Sequence, residues 1–569
     1  MMRVIAVVLL VCTLLSGCVS AVPTPSPTPA PLSQPSATSP PAPPTLSSLS
    51  QPSATVPPAP TSTPAPLRAW IDPRVPRIVR DKVTDSLAVM ETVHTDAEAD
   101  ADLRIGLDLE VPLAQWAFVL AAPFPTVADE VSWSELRRLW VGEAGALTAI
   151  SGDAEPPTLF ITADTLAVLQ ALLGPFSTQS PISVVEAGEL LDRAWEARPH
   201  ALAILPFDQL QPRWKVLKLD GVSVLDRPLD IATYPLTVSI GAEGKAAEEL
   251  AAAMNAPDGL LTNRTEGQMV TLVMTGVTAL VRGTAYRMEQ RGVLYPAEHI
   301  ATVLQEADVL HISNEVPFAK SCPPADPKSQ SLVFCTNPTF IELLEFVGTD
   351  VVELTGNHAM DYGPQPMLDT VEMYRDRGWV YFGGGEDLED SLRPAIVEKD
   401  GTRLGFIGCN PVGPAFGWAT EDSPGYAPCE PDYLAGRVAE LKQQVDVTIA
   451  TMQYWEFYQY EPTWKQQQDF RGFVDAGAAI VSGSQAHHPQ AIEFYRDGFI
   501  HYGLGNLFFD QMYSLGTRQI FVDRHVIYEG RHISTELLTY MLEDYCQPRP
   551  MTLEERRTLL RSVFEASGW

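Results

Sequence analysis

The sequence predicts an α/β protein with two globular regions, and three observations carry that reading. Short apolar segments of strand length alternate with amphipathic helical segments from about residue 68 onward. In the second half, successive apolar strands each end in a cluster of polar residues, the arrangement that brings side chains to one edge of a parallel sheet. The chain has 569 residues, 45% of them hydrophobic. Roughly 500 lie beyond a Pro-rich leader, more than one hydrophobic core accommodates.

The leader comes first in the chain. Met1-Met2-Arg3 is a short positive start, and Val4 to Leu15 is an apolar run. That run has the length of a signal h-region and is too short for a membrane span. It ends in Leu15-Ser16-Gly17-Cys18, which resembles the lipobox of bacterial lipoproteins. The resemblance implies a signal peptide over 1–17 and acylation of Cys18 as the first mature residue. The expected location is extracytoplasmic, with the chain held to the cell membrane by the lipid at Cys18. Residues 18–67 are almost wholly Pro, Ser, Thr and Ala and repeat Leu-Ser-Gln-Pro-Ser-Ala-Thr at Leu32 and at Leu49. Such a composition buries no core and favours extended polyproline II. At ~3.1 Å per residue this tether reaches up to ~150 Å.

Charge and cysteine usage narrow the function classes. The formal net charge of −32 argues against nucleic acid as a partner. An anionic polymer would have to be met at a local basic patch or through metal ions. Beyond Cys12 and Cys18, five cysteines remain. Export permits disulfides, and the sequence-local pairings are Cys322 with Cys335 and Cys409 with Cys429, among three pairings that four cysteines allow. Cys546 is left over.

Residues 68–257 read as the first domain. Asp102 to Leu109, Trp116 to Ala122, Thr158 to Thr162 and Ala201 to Pro206 are strand-like. Ser132-Trp133-Ser134-Glu135 is a capping box for a helix to Val141, Asp164 is placed to cap a Leu-rich helix to Leu173, and Val185 to Ala197 is amphipathic. The stretch Trp133 to Gly142, the strand Ala201 to Pro206 and the segment Ile231 to Leu236 resemble parts of the phosphate-type periplasmic solute-binding proteins. That resemblance implies a two-lobed α/β domain. No cluster of anion-binding residues stands out in it.

Residues 269–515 form the second expected domain. Thr271 to Thr275, Ala307 to Ser313, Val351 to Leu354, Leu404 to Cys409, Val445 to Met452 and Ala479 to Ser482 are strands, with polar ends at Asn314-Glu315, Gly356-Asn357-His358, Gln453-Tyr454-Trp455-Glu456 and Gly483-Ser484-Gln485-Ala486-His487-His488. Those ends appear in order with Gly383-Gly384-Gly385, Asp361-Tyr362-Gly363, Asp475-Ala476-Gly477-Ala478, His487-His488-Pro489-Gln490 and Tyr502-Gly503-Leu504-Gly505-Asn506-Leu507-Phe508-Phe509-Asp510. Together they resemble the CapA family of poly-γ-glutamate capsule synthesis. The resemblance implies the four-layer α/β/β/α fold of calcineurin-like metallophosphatases. It also implies a surface protein acting in the biosynthesis or retention of an extracellular polymer, with that anionic polymer or envelope biosynthesis membrane proteins as partners.

In the parent fold two divalent metals ~3.5–4 Å apart clamp a phosphoryl group and generate a hydroxide. Carried over residue by residue, Glu315, Asn357 and His487 remain as metal ligands, and His358 stands where a catalytic imidazole protonates the leaving group. Three of the six ligand positions have changed: the family's Asp is Val277, and two of its His are Gln453 and Gln485. Neutral amides are poor ligands for transition metals. One reading is a metal-free groove lined by Asn314, Asp361, Gln453, Glu456, Gln485 and His488, since amides both donate and accept. Another is a phosphoesterase-like or amide hydrolase with one remodelled site for Mn, Fe or Zn, in which Glu456, Asp361 or Asp308 supplies a replacement carboxylate. A third is a binding module in which the first domain captures a solute. Trp455, Phe457, Tyr458 and Tyr460 read as packing under a loop or as an aromatic platform beside the cleft. His94, His200, His525 and His532 read as isolated and solvated, and His311 as a packed strand residue. Residues 516–569 read as two strands and a Thr552-capped helix packed on the second domain as an extension.

Overall fold

The computed structural model describes residues 66–569 other than 144, 153–154 and 255–258. The signal segment, Cys18 and nearly all of the tether lie outside the described residues. Among the described residues no helix is long and apolar enough to cross a membrane.

The first region is organised by one long strand, Val111–Pro123, whose apolar run is buried almost throughout. Its first half pairs antiparallel with Thr237–Gly244 and its second half with Ala201–Pro206. A single strand thus runs through both halves of a ten-stranded sheet. The helix Trp133–Trp140 begins as its sequence indicates. Ser132 Oγ accepts from Glu135 N at 3.2 Å, and Leu136, Leu139 and Trp140 face the core. The helix Ala163–Leu173 is capped by Thr162 and not by Asp164: Thr162 Oγ1 accepts from Thr165 N at 3.2 Å, so the helix starts two residues earlier than expected. A cleft of about 580 Å³ opens nearby, lined by Trp116, Phe118, Thr165, Arg77 and Arg193 among others.

The second region is two sheets stacked face to face. In the first, Met269–Thr278, Val309–Asn314, Val351–Glu353 and Val380–Phe382 pair in parallel in that order. In the second, Thr402–Cys409, Val447–Gln453, Ile480–Ser484 and Gly498–His501 do the same. Side chains alternate between faces with period two, and the packing follows that alternation. Leu272, Met274, Val309 and Val351 meet Phe406, Ile449 and Ile480 between the sheets. Val273, Leu310, Ile312 and Val352 point the other way, under helices that include Ile341–Phe346 and Pro364–Arg375. Ile407, Ala450 and Val481 point outward from the second sheet under Pro431–Leu441 and Trp464–Ala476. The result is the α/β/β/α layering.

Two features differ from the sequence reading. The tail does not sit on this domain as an appendage. Gln519–Tyr528 pairs antiparallel with Met269–Thr278, and Arg531–Glu543 and Gln547–Pro550 continue the same sheet. Only the helix Leu553–Ala566 lies on top, with Thr552 and Glu555 forming a reciprocal capping box. His525 and His532 are not solvated. His525 Nδ1 lies 2.8 Å from Thr535 Oγ1, its ring is 5.1 Å from that of His532, and burial lowers both imidazoles, His532 to about 4. They read as surface residues only while the strands around them are taken for an extension.

The two regions share side chains. Phe124 packs edge-on against Phe494 at 5.0 Å, and Trp195 meets Trp569 at 5.8 Å. Aromatic pairs of this kind contribute ~0.5–1.5 kcal/mol each beyond their buried area. Arg556 forms a two-pronged pair with Asp129, both contacts at 2.7 Å, and Lys215 Nζ adds a third at 2.8 Å. The disulfides Cys322–Cys335 and Cys409–Cys429 are formed, and Cys546 is a buried free thiol that burial pushes up to about 12.

Candidate functional site

Parallel strands deliver their C-terminal ends to one edge, and here two sheets deliver them to the same place. Gln453, at the end of a second-sheet strand, donates its amide nitrogen to Glu315 Oε1 at 3.2 Å and to Asn357 Oδ1 at 3.3 Å, both just past first-sheet strands. Behind it, Ser484 Oγ lies 2.9 Å from Gln453 Oε1 and 3.0 Å from Glu353 Oε1. Glu353 in turn faces His311, Nε2 to Oε2 at 3.3 Å. Gly356 makes the approach of the two loops feasible. A Cβ there would stand 2.5 Å from Glu315 Cα, closer than real side-chain carbons come.

The imidazoles flank this centre. His358 Nδ1 is 2.6 Å from Asp361 Oδ2, which also accepts from Phe334 N at 2.8 Å. The Phe334 ring tilts against His358 at 4.4 Å. Burial works to lower the His358 pKa, but the Asp361 hydrogen bond and the Glu315, Asp361 and Glu456 charges outweigh it, and the net shift is upward. His487 Nδ1 lies 2.7 Å from Asn506 Oδ1. Glu315 is fully enclosed, and burial raises its pKa against the opposing pull of His487 and His358. Gln485 and His487 both adopt left-handed backbone, φ 77° and 47°, at the turn after their strand. Non-glycine residues hold that conformation at a cost of about 1–3 kcal/mol, which concentrates at functional sites.

Most of the expected site residues meet, and three do not. Gln453 is hydrogen-bonded to Glu315 and Asn357, the charges of His487, His358, Glu456 and Asp361 act on Glu315, and Gln485 is tied to Glu456 by donating Nε2 at 3.2 Å. Asn314 points away: period-two alternation turns it toward the helix layer, where Nδ2 donates to Val316 O and Tyr374 Oη. His488 packs on Tyr460 at 4.6 Å, with Nδ1 2.7 Å from Pro489 O. Asp308 is at the far end of its strand, paired with Arg227 and bonded to Thr271, and offers the site no carboxylate. The sequence reading gave no role to Glu353, Ser484 and Asn506, although Ser484 stands in a strand-end cluster and Asn506 in the Tyr502–Asp510 motif. A lone Glu in the apolar run Val351-Val352-Glu353-Leu354 was the available signal for the first.

The donor set does not fit a two-metal centre. Val277 supplies no ligand atom, and its side chain belongs to an apolar cluster with Val316 and Phe509. Two retained oxygens, on Glu315 and Asn357, already accept from the Gln453 amide. Among the described residues no group of three or more His, Cys, Asp or Glu is arranged to hold a metal ion.

Residues 271–511 match the family described as bacterial capsule synthesis protein PGA_cap. The chain is 25% identical over 300 residues to the capsule biosynthesis protein CapA of Bacillus anthracis, covering 51% of this chain and 72% of that one. It is 27% identical over 245 residues to the PGA biosynthesis protein CapA of Bacillus subtilis (strain 168), covering 42% of this chain and 64% of that one. Among solved structures, an ABC-type phosphate transport receptor from Vibrio cholerae covers 34% of this chain and 95% of its own length, at 10% identity and a TM-score of 0.29. Over residues 271–511 the chain is therefore similar to the bacterial capsule synthesis protein family.

Proposed function

We propose that this protein acts at the cell envelope in the assembly or retention of an extracellular polymer of the poly-γ-glutamate type, held there by a lipid on Cys18. In this reading the strand-end cleft works by hydrogen bonding and not by two-metal hydrolysis. The observation that carries it is the Gln453 amide nitrogen, which donates to both Glu315 and Asn357. An N–H₂ group thereby satisfies oxygens that the parent fold gives to a cation. Hydrogen bonds to a charged acceptor contribute ~1.5–3 kcal/mol, so the exchange is stable without metal. The second amide, Gln485, repeats the substitution by donating to Glu456.

A single-metal hydrolase is the second reading. It is favoured by the survival of Glu315, Asn357 and His487 in one group with the His358–Asp361 pair beside them. Metal analysis of the full-length protein after exposure to Mn, Fe and Zn separates the two. The hydrogen-bonding reading expects well under one metal per chain, and stoichiometric binding only in a variant that restores the ligands, Val277→Asp with Gln453→His and Gln485→His. About one metal per wild-type chain, lost in Glu315→Ala and in His487→Ala, would overturn it in favour of the hydrolase.

A further inference from the structure

Beside the buried centre lies an exposed aromatic rim that the cleft chemistry does not use. Trp455 is 47% exposed, Tyr458 45% and Tyr513 66%. Tyr458 and Tyr513 come from different loops yet meet at 5.9 Å with their rings at 68°. The rim is joined to the site through Glu456, which accepts from Tyr458 Oη at 2.7 Å and from Gln485 Nε2 at 3.2 Å. Gln485 is itself 3% exposed, and its Oε1 has no hydrogen-bond partner. A buried acceptor left unmet costs about 1–3 kcal/mol. That oxygen is out of reach of solvent, so the acceptor the rim itself presents is Glu456.

The chemistry of the rim narrows the occupant. Its exposed charged group is an acceptor, the Glu456 carboxylate, which keeps lone pairs beyond those taken by Tyr458 and Gln485. Arg282, whose charge acts on Tyr513, is turned toward other partners. Its guanidinium pairs with Asp510 at 2.6 Å and lies over the rings of Phe334 and Phe509. A polycarboxylate would bring acceptors to acceptors and negative charge to a chain of net charge −32. A sugar chain brings hydroxyl donors on its edges and C–H faces that stack on Trp and Tyr.

We infer that the Trp455–Tyr458–Tyr513 rim, with Glu456 and Gln485 at its base, is a binding site for an uncharged saccharide chain. The inference rests on the reading of the cleft as a polymer-holding surface, and it names which polymer chemistry the rim engages.

Isothermal titration of the full-length protein with triacetylchitotriose, and in parallel with a γ-glutamyl decamer, tests it. Trp455→Ala and Tyr513→Ala are surface changes whose folding is checked by thermal melting, and Glu456→Gln keeps the shape while weakening acceptance. The triose is expected to bind, with Kd raised at least tenfold in the two aromatic variants, while the decamer, held in the cleft and not on the rim, binds those variants as it binds the wild type. Triose binding unchanged in all three variants would place the site elsewhere and overturn the inference. Binding of the decamer alone would overturn it while leaving the polymer-holding reading intact. If neither ligand bound, both would fall.

Discussion

Gln453 Nε2 lies 3.2 Å from Glu315 Oε1, and the two residues come from different sheets. One amide therefore ties the two sheets together at the edge where the site is built. The contact makes a specific demand on residue 453: it must present hydrogen to a carboxylate from which water is excluded.

Gln453→Glu breaks that demand while keeping the shape. Two carboxylates at this separation cannot both ionise without a cation between them. The variant is expected to lose ~2 kcal/mol at neutral pH, on the scale of a hydrogen bond to a charged group turned into a repulsion. Millimolar Mn should recover part of the loss in the variant and leave the wild type unmoved. Urea melts with and without Mn measure both effects. An unaltered midpoint in the variant would show that the amide is not donating to Glu315.

How much of this was legible beforehand depends on whether a feature is local. The strands and their polar ends follow from period-two patterning and chain order, so Glu315, Asn357, Gln453 and His487 were found as one set. The same parity, applied one residue further, turns Asn314 to the helix layer because Ile312 already faces it. His311 reads as packed from its place in a strand, but its pairing with Glu353 and the burial of His525 are not settled by local pattern. Each lies between the sheets and has polar partners on neighbouring strands, such as His311 with Glu353 and His525 with Thr535, so their burial is decided by stacking that no single segment encodes. The tail was misjudged for a related reason: its first strand pairs with Met269–Thr278, from much earlier in the chain.

Gly356 is expected to tolerate no side chain. A methyl group there meets Glu315 Cα at 2.5 Å and Glu315 O at 2.7 Å, backbone on both counts, so neither neighbour can swing aside. Overpacking against fixed atoms costs ~3 kcal/mol. Gly472→Ala is the internal control. It is an exposed position inside the helix Trp464–Ala476 with open space around it, and alanine there should add ~0.5–1 kcal/mol. Denaturant melts that shift in opposite directions for the two variants bear this out, and equal shifts count against it.

The Asp129–Arg556 pair should couple the two regions to pH. Burial tends to raise the Asp129 pKa, but Arg556 and Lys215 outweigh it and hold the carboxylate well below its usual 3.8. A depressed acid contributes stability that is complete above the unfolded value and is lost as pH falls toward the folded one. The wild type is therefore expected to lose melting temperature below about pH 4 more steeply than Asp129→Asn, which starts lower at neutral pH and has no such charge to protonate. Calorimetry from pH 7 to pH 3 reads both slopes, and parallel slopes would rule out this pair as a source of the acid sensitivity.

Cys18 is expected to be the membrane attachment, and the residues that follow it to position 67 are rich in Pro. Lipid chains bind a membrane at ~0.8 kcal/mol per buried CH₂, and stable anchoring takes more than one chain. The wild type should incorporate a clickable palmitate analogue and stay with the membrane through a carbonate wash. Cys18→Ala should lose the label and leave the washed membrane fraction. Retention of both label and membrane association in Cys18→Ala would place the anchor at another residue and leave the Leu15-Ser16-Gly17-Cys18 match without a role.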